Sequence, residues 1–191
     1  MFLASQMSCS CCSPTPSRRS ILQSAAGLGL ASAVGLVAGF APLAKAASGN
    51  YEAMLVNCID PRFTTLSHRY MGMISGVERD KLGDVYSQFV IAGGPLGAVH
   101  PAFKNWHNTF WDNLDITVKL HHIQRVVALS HRDCGAAKLA FGEEGVKDKA
   151  AETESHGGAL AEFRAAVRKR HPKLSVITGI MDLSGRVDLL G

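Results

Sequence analysis

The sequence predicts an α/β protein with a mostly parallel sheet flanked by helices. Three observations carry that reading. Short, continuous apolar runs such as Val126-Val127-Ala128-Leu129 read as strands buried on both faces. They alternate with segments whose apolar residues recur at the helical period, such as Phe103, Trp106, Phe110, Leu114 and Val118. A length of 191 residues suits one such domain and is too short for two full cores.

The elements follow in chain order. Met54-Leu55-Val56-Asn57 is a buried strand that ends at Cys58, and Pro61 breaks it. Leu66, Tyr70, Met73 and Ile74 give residues 64–77 a roughly helical spacing, and Gly83-Asp84 is a turn. Tyr86–Ala92 is a second strand, closed by Gly93-Gly94-Pro95. An amphipathic helix runs from Pro101 to about Leu120, with the proline well placed near its start. Arg125–Ser130 is the clearest strand and leads into His131. Gly135–Phe141 is helical, Val146–Ser155 is a charged loop or short helix, and Ala159–Arg170 is a second amphipathic helix stopped by Pro172. Leu174–Ile180 is a third parallel-type strand, and Asp182–Leu190 adds an edge strand after a turn at Ser184-Gly185.

Composition separates an address from a domain. Lys+Arg is 20 and Asp+Glu is 16, a formal charge of +4, too mild for a nucleic-acid binder. Residues 1–46 hold Arg18, Arg19 and Lys45 and no acid, so the rest of the chain is close to neutral. Arg18-Arg19 precedes an uncharged run from Ser24 to Leu43, and Ala44-Lys45-Ala46 supplies a small-x-small cleavage signature. This arrangement resembles a twin-arginine export signal, which implies recognition by the twin-arginine export machinery and a periplasmic destination. The competing reading is a membrane helix, against which Gly27, Gly29, Gly35, Gly39 and Pro42 count; a signal left uncut would tether the protein. The domains expected are therefore a signal peptide at 1–46 and a functional domain at 47–191. Cys9, Cys11 and Cys12 fall in the leader, which leaves Cys58 and Cys134 as either a disulfide or a metal pair.

Two motifs carry chemistry. Cys58-Ile59-Asp60-Pro61-Arg62 is a C-x-D-x-R, and His131-Arg132-Asp133-Cys134-Gly135 is an H-x-x-C-G. Cys58 and His131 stand at the carboxyl ends of predicted strands, where parallel sheets collect their ligands. Two thiolates and one imidazole make a tetrahedral zinc site with one position open, and soft sulfur favours zinc over harder divalent ions. A helix starting after Cys134 would favour its thiolate.

Together these motifs resemble those of the beta-class carbonic anhydrases. Gly83-Asp84-Val85-Tyr86, Ile91-Ala92-Gly93-Gly94 and Asp182-Leu183-Ser184-Gly185 extend the similarity over most of residues 54–187. Two features depart from the family pattern. Its Arg-Asn-Ala-Gly-Asn turn is here Val90-Ile91-Ala92-Gly93-Gly94, and only about ten residues separate the predicted cleavage site from Cys58. The resemblance implies one Zn²⁺ per chain on Cys58, His131 and Cys134. It implies reversible hydration of CO2 to bicarbonate by hydroxide formed on zinc, where the pKa of water falls from about 15.7 to about 7. It further implies a catalytic dyad of Asp60 and Arg62. Paired with Arg62, Asp60 orients the nucleophile; released, it becomes a fourth metal ligand. The partners implied are CO2 and bicarbonate, with no nucleic acid, and a homo-oligomer is admitted.

Other readings of the same residues stay open. Cys58 and Cys134 could be a disulfide beside an ordinary histidine, or the zinc could be structural and closed by Asp60. Asp60–Arg62 could be a salt bridge that braces its turn. The same centre could hydrolyse COS or CS2, or the protein could bind zinc without catalysis; a redox role lacks a C-x-x-C. Arg132 and Asp133 read as orienting their loop, and Gly135 as allowing close backbone approach. His68, His100, His107, His121, His122 and His156 are proton-shuttle candidates, with His121-His122 first, though packing is the commoner role for each. Trp106, Phe110 and Trp111 read as core, and Arg168-Lys169-Arg170 as a solvated helix end.

Overall fold

Ala53–Asn57 form strand β1, and all five residues are buried. Successive side chains on a strand face opposite ways. Met54 and Val56 therefore enter one core, while Ala53 and Leu55 enter another. A strand buried on both faces belongs in the middle of a covered parallel sheet. That is where the computed structural model, which describes residues 50–76 and 79–191, places it.

The remaining strands are β2 (Tyr86–Val90), β3 (Arg125–His131), β4 (Ser175–Met181) and β5 (Val187–Leu189). Their order is β2-β1-β3-β4-β5, parallel throughout except for the antiparallel β5 at one edge. The register pairs Ala53 with Arg125 and Val56 with Ala128, so the ends of β1 and β3 lie side by side. The helices are α1 (Thr64–Ser75), α2 (Pro95–Val99), α3 (His107–His121), α4 (Gly135–Phe141) and α5 (Lys149–Arg170). One core packs Phe110 and Leu114 of α3 and Leu160, Phe163 and Val167 of α5 against Met54, Val56, Val126 and Ala128. The other packs Met71 of α1 and Phe63 against Leu55, Val127 and Leu129. Phe110 and Phe163 are fully buried, and each would cost about 3–5 kcal/mol to truncate.

Three local expectations change. The helix expected from Pro101 is a 3-10 turn, Pro101–Trp106, followed by α3. Phe103 is off-helix at φ −117° and stacks on Trp106 at 4.6 Å. A 3-10 turn aligns positions i and i+3, so it mimics helical spacing. Residues 149–155 belong to α5, which runs unbroken for 22 residues from an Asp148 cap that accepts from the Ala151 amide. Its first turns are charged because they bind the neighbouring loop, and so they show no apolar period. Helix α2 is short, wholly buried and unanticipated.

All these elements fall in one compact unit. Among the described residues, no helix is long and apolar enough to cross a membrane. The predicted export signal, with Arg18, Arg19, Cys9, Cys11 and Cys12, lies outside the described residues.

Candidate metal centre

The parallel register delivers two loops to one point. Cys58 is the first residue after β1, His131 is the last of β3, and Cys134 caps α4. All three are buried, and their ligand atoms lie within 4.8 Å of one another. The cysteines are free thiols.

The protonation pattern suits a cation. His131 Nδ1 lies 2.8 Å from the Arg132 carbonyl. A carbonyl only accepts, so Nδ1 carries a proton and Nε2 is the nitrogen left to face an ion. That Nε2 is buried without a hydrogen-bond partner, a state that costs about 1–3 kcal/mol unless something is bound there. Burial alone would lower the His131 pKa, but the Cys58 sulfur and the Arg132 carbonyl raise it. The Cys58 thiol is lowered to about 4, chiefly by a hydrogen bond from Cys134, against the effect of burial. The Gly93 amide also donates to Cys58 Sγ at 3.2 Å. Cys134 is pushed up by the same bond to Cys58 and by burial. The pair thus holds a single proton, which a divalent cation would displace. Two thiolates and one orphaned imidazole nitrogen are the donor set of a thiophilic ion, zinc above all.

Glycine makes the Gly93 contact reachable. A side chain at Gly94 (φ 57°) would stand 3.0–3.1 Å from the backbone of Asn57, Cys58 and Leu129. Only glycine lets this turn lie on the strand ends. The sequence marked the turn as made of small residues but not the amide it aims at sulfur. The expectation for Gly135 is corrected: a side chain there would meet nothing within 4 Å.

Asp60 and Arg62 stand beside the cluster. Asp60 caps the 3-10 turn Pro61–Phe63 and accepts from the Arg62 amide at 3.0 Å. Its carboxylate also accepts from Arg62 Nε at 3.1 Å and Nη2 at 2.7 Å. This bidentate pairing holds Asp60 down at about 2 and raises Arg62. In this arrangement Asp60 is engaged by Arg62, and the group that could hold a metal ion is Cys58, His131 and Cys134. Arg132 is buried and bonds the Lys149 carbonyl and Thr153 Oγ1, both at 2.8 Å, which ties the H-x-x-C loop to α5.

The histidines separate cleanly. His121 and His122 sit at the end of α3, before the start of β3, so the length of β3 lies between them and His131. His121 stacks on Tyr51, His68 bonds the Tyr86 hydroxyl, and His107 bonds the His100 carbonyl. The His121-His122 pair is therefore misplaced for proton transfer at the cluster. His156 is different: it is fully buried, neither ring nitrogen has a partner, and it feels the charges of His131 and Cys58.

The fold is that of the beta-carbonic anhydrases. The Coccomyxa beta-carbonic anhydrase, solved with acetazolamide, superposes with a TM-score of 0.51 at 17% identity, over 76% of this chain and 74% of that one. A tetrameric beta-carbonic anhydrase of Sordaria macrospora gives a TM-score of 0.51 at 13% identity, over 75% of this chain and 82% of that one. No family model matches the sequence. At the sequence level, the uncharacterized protein RC0076 of Rickettsia conorii is 30% identical over 137 residues, 72% of this chain and 70% of that protein. An uncharacterized protein of Rickettsia bellii is likewise 30% identical over 137 residues, 72% of this chain and 80% of its own length. The chain belongs to the family of these rickettsial proteins.

Proposed function

We propose that this protein is a zinc enzyme that catalyses the reversible hydration of CO2 to bicarbonate. The observation that carries the reading is the buried, unpartnered Nε2 of His131 converging with two thiols beside an Asp–Arg fork. The beta-carbonic-anhydrase fold around it gives independent support. Cys58, His131 and Cys134 would hold the ion. Zinc held there would supply Lewis acidity, which lowers the pKa of water to about 7 and makes a hydroxide nucleophile available at neutral pH.

The chain's own residues then have distinct tasks. Asp60, held at about 2, is ionised at every physiological pH. It is too weak a base to remove a proton and serves as a hydrogen-bond acceptor that orients the nucleophile. Arg62 holds that carboxylate by its Nε/Nη2 edge and keeps it from closing the centre as a fourth ligand. The Arg132 carbonyl fixes the His131 tautomer, an outer-shell contact of the kind that orients metal-bound imidazoles. Assembly belongs to the same reading. The Sordaria macrospora enzyme is tetrameric, and exposed Ile59, Val90 and Leu139 give this chain apolar surface for a homo-oligomer. Export to the periplasm by the twin-arginine machinery is a proposal carried by Arg18-Arg19 and the apolar run after them.

The test is CO2 hydration by zinc-loaded protein, with COS and CS2 assayed in parallel. We expect CO2 turnover in the wild type. Asp60→Asn should keep its zinc and lose roughly 10²-fold in rate, the scale of a positioned acid–base group. Arg62→Ala should also keep zinc and lose most activity. Fully zinc-loaded wild type that hydrates no CO2 would reject the function. Near-normal activity of folded Arg62→Ala would reduce the fork to a brace.

A further inference from the structure

Arg62 is held by two carboxylates. Nε and Nη2 go to Asp60, while Nη1 donates to Asp133 Oδ2 at 2.7 Å and Nη2 to the Asp133 carbonyl at 3.1 Å. Asp133 thus takes the edge of the guanidinium that Asp60 leaves free. The two acids come from different loops, one after β1 and one after β3, and Arg62 bridges them.

The structure fixes Asp133 in an unusual way. Its φ is 56°, in the left-handed region that Asp, Asn and Gly tolerate best. Its amide donates to Glu152 Oε1 at 2.8 Å. Glu152 is only 12% exposed and lies 3.4 Å from buried Arg132, which α5 grips through Lys149 and Thr153. The carboxylate and carbonyl of Asp133 are therefore presented to Arg62 by a backbone pinned to the first turns of α5. An arginine held by one partner could swing into solvent, since its side chain is 46% exposed. Held on two edges from two different loops, it is restrained against that swing.

We propose that Asp133 is a positioning residue: by anchoring the second edge of Arg62 it keeps the Asp60 carboxylate off the metal position. It touches neither substrate nor metal and acts through Arg62. The proposal rests on the reading of the cluster as a metal centre closed or opened by Asp60.

The test uses full-length, cobalt-loaded protein, azide as the probe anion, and three forms: wild type, Asp133→Gly and Asp133→Asn. Glycine keeps the left-handed backbone without strain and deletes only the carboxylate, which guards against misfolding. Asparagine keeps the conformation and an acceptor but drops the charge. Asp60 released onto the metal competes with azide, so azide affinity measured by visible absorption should weaken in Asp133→Gly. The expected change is roughly threefold to fivefold, the scale of a partly exposed ion pair. Asp133→Asn should fall between. Exchange of the Arg62 Nε–H, followed by nitrogen-15 NMR, should accelerate in the same order, a change that a merely structural loss elsewhere would not produce. Unchanged azide affinity together with unchanged Arg62 exchange would overturn the proposal, as would tighter azide binding. A wild type without CO2 turnover but with both shifts present would sink the proposed function and leave the clamp standing.

Discussion

Two clusters of titratable groups lie at opposite ends of the sheet, and they differ in what they leave unsatisfied. Away from the strand carboxyl ends, Asp115 of α3 binds Arg170 at 2.6 Å and His171 at 2.8 Å, and the Arg170 guanidinium lies 5.7 Å over Trp111. Asp115 is half-buried and Arg170 exposed, and each charge has its partner. Arg170 holds the Asp115 pKa below its ordinary value, with help from His171. At the carboxyl end, Cys58, His131 and Cys134 are buried, and the His131 Nε2 has no partner. A knot of charges is therefore not in itself a site. What distinguishes a site is polar atoms kept from water with nothing to bond, because that arrangement is costly unless a ligand completes it.

The largest effect expected from this contrast is at the ligands. Wild type should hold about one zinc per chain, and Cys134→Ser and His131→Ala should each lose it and fall to the background rate. Metal analysis decides: full zinc in both variants would put the ion elsewhere.

A smaller effect should appear at His156. Burial, with His131 and Arg132 nearby, holds it down at about 4, against 6.5 for an ordinary histidine. Between those values the unfolded chain binds a proton that the folded chain does not, so this group costs stability as pH falls from 6.5 to 4. The loss is up to about 3 kcal/mol and is absent above that window. His156→Leu removes it. Denaturation curves at pH 7 and pH 4 should show wild type losing up to that much more than the variant. At pH 7 the variant should be no less stable, since its two unpartnered nitrogens are gone. Parallel pH dependence of the two proteins would show that His156 is satisfied by a bound water.

The smallest effect should be at the other cluster. Asp115→Asn should cost at most about 1 kcal/mol, and less in high salt, with zinc content and turnover unchanged. A loss of zinc in that variant would end the contrast between the two clusters.

How far the sequence revealed this arrangement depends on range. The central strands β1 and β3 were legible because Leu55, Val127 and their neighbours are buried on both faces, so each carries a continuous apolar run. The ligands were legible because C-x-D-x-R and H-x-x-C-G are compact motifs at strand ends. The rest depends on contacts distant in sequence. The first turns of α5 looked irregular because Glu152 and Thr153 are chosen to bind Arg132 and the Asp133 amide, not to line a core. The His121-His122 pair attracted attention as adjacent imidazoles, but only the direction of β3 shows that they lie at its wrong end. His156 was one histidine among several until its neighbours were known.

The register of β1 and β3 also bears on how the molecule forms. Cys58 follows one strand, His131 ends another and Cys134 comes just after it, with α1, β2, α2 and α3 between the two strands in the chain. No local segment contains the full donor set. Three ligands meet only after the non-local parallel pairing of Ala53–Val56 with Arg125–Ala128 has closed, among the slower kinds of contact to form. On the proposed function, metal capture would thus be a late event, and the rate at which a refolding chain takes up zinc would measure the closure of its central strand pair.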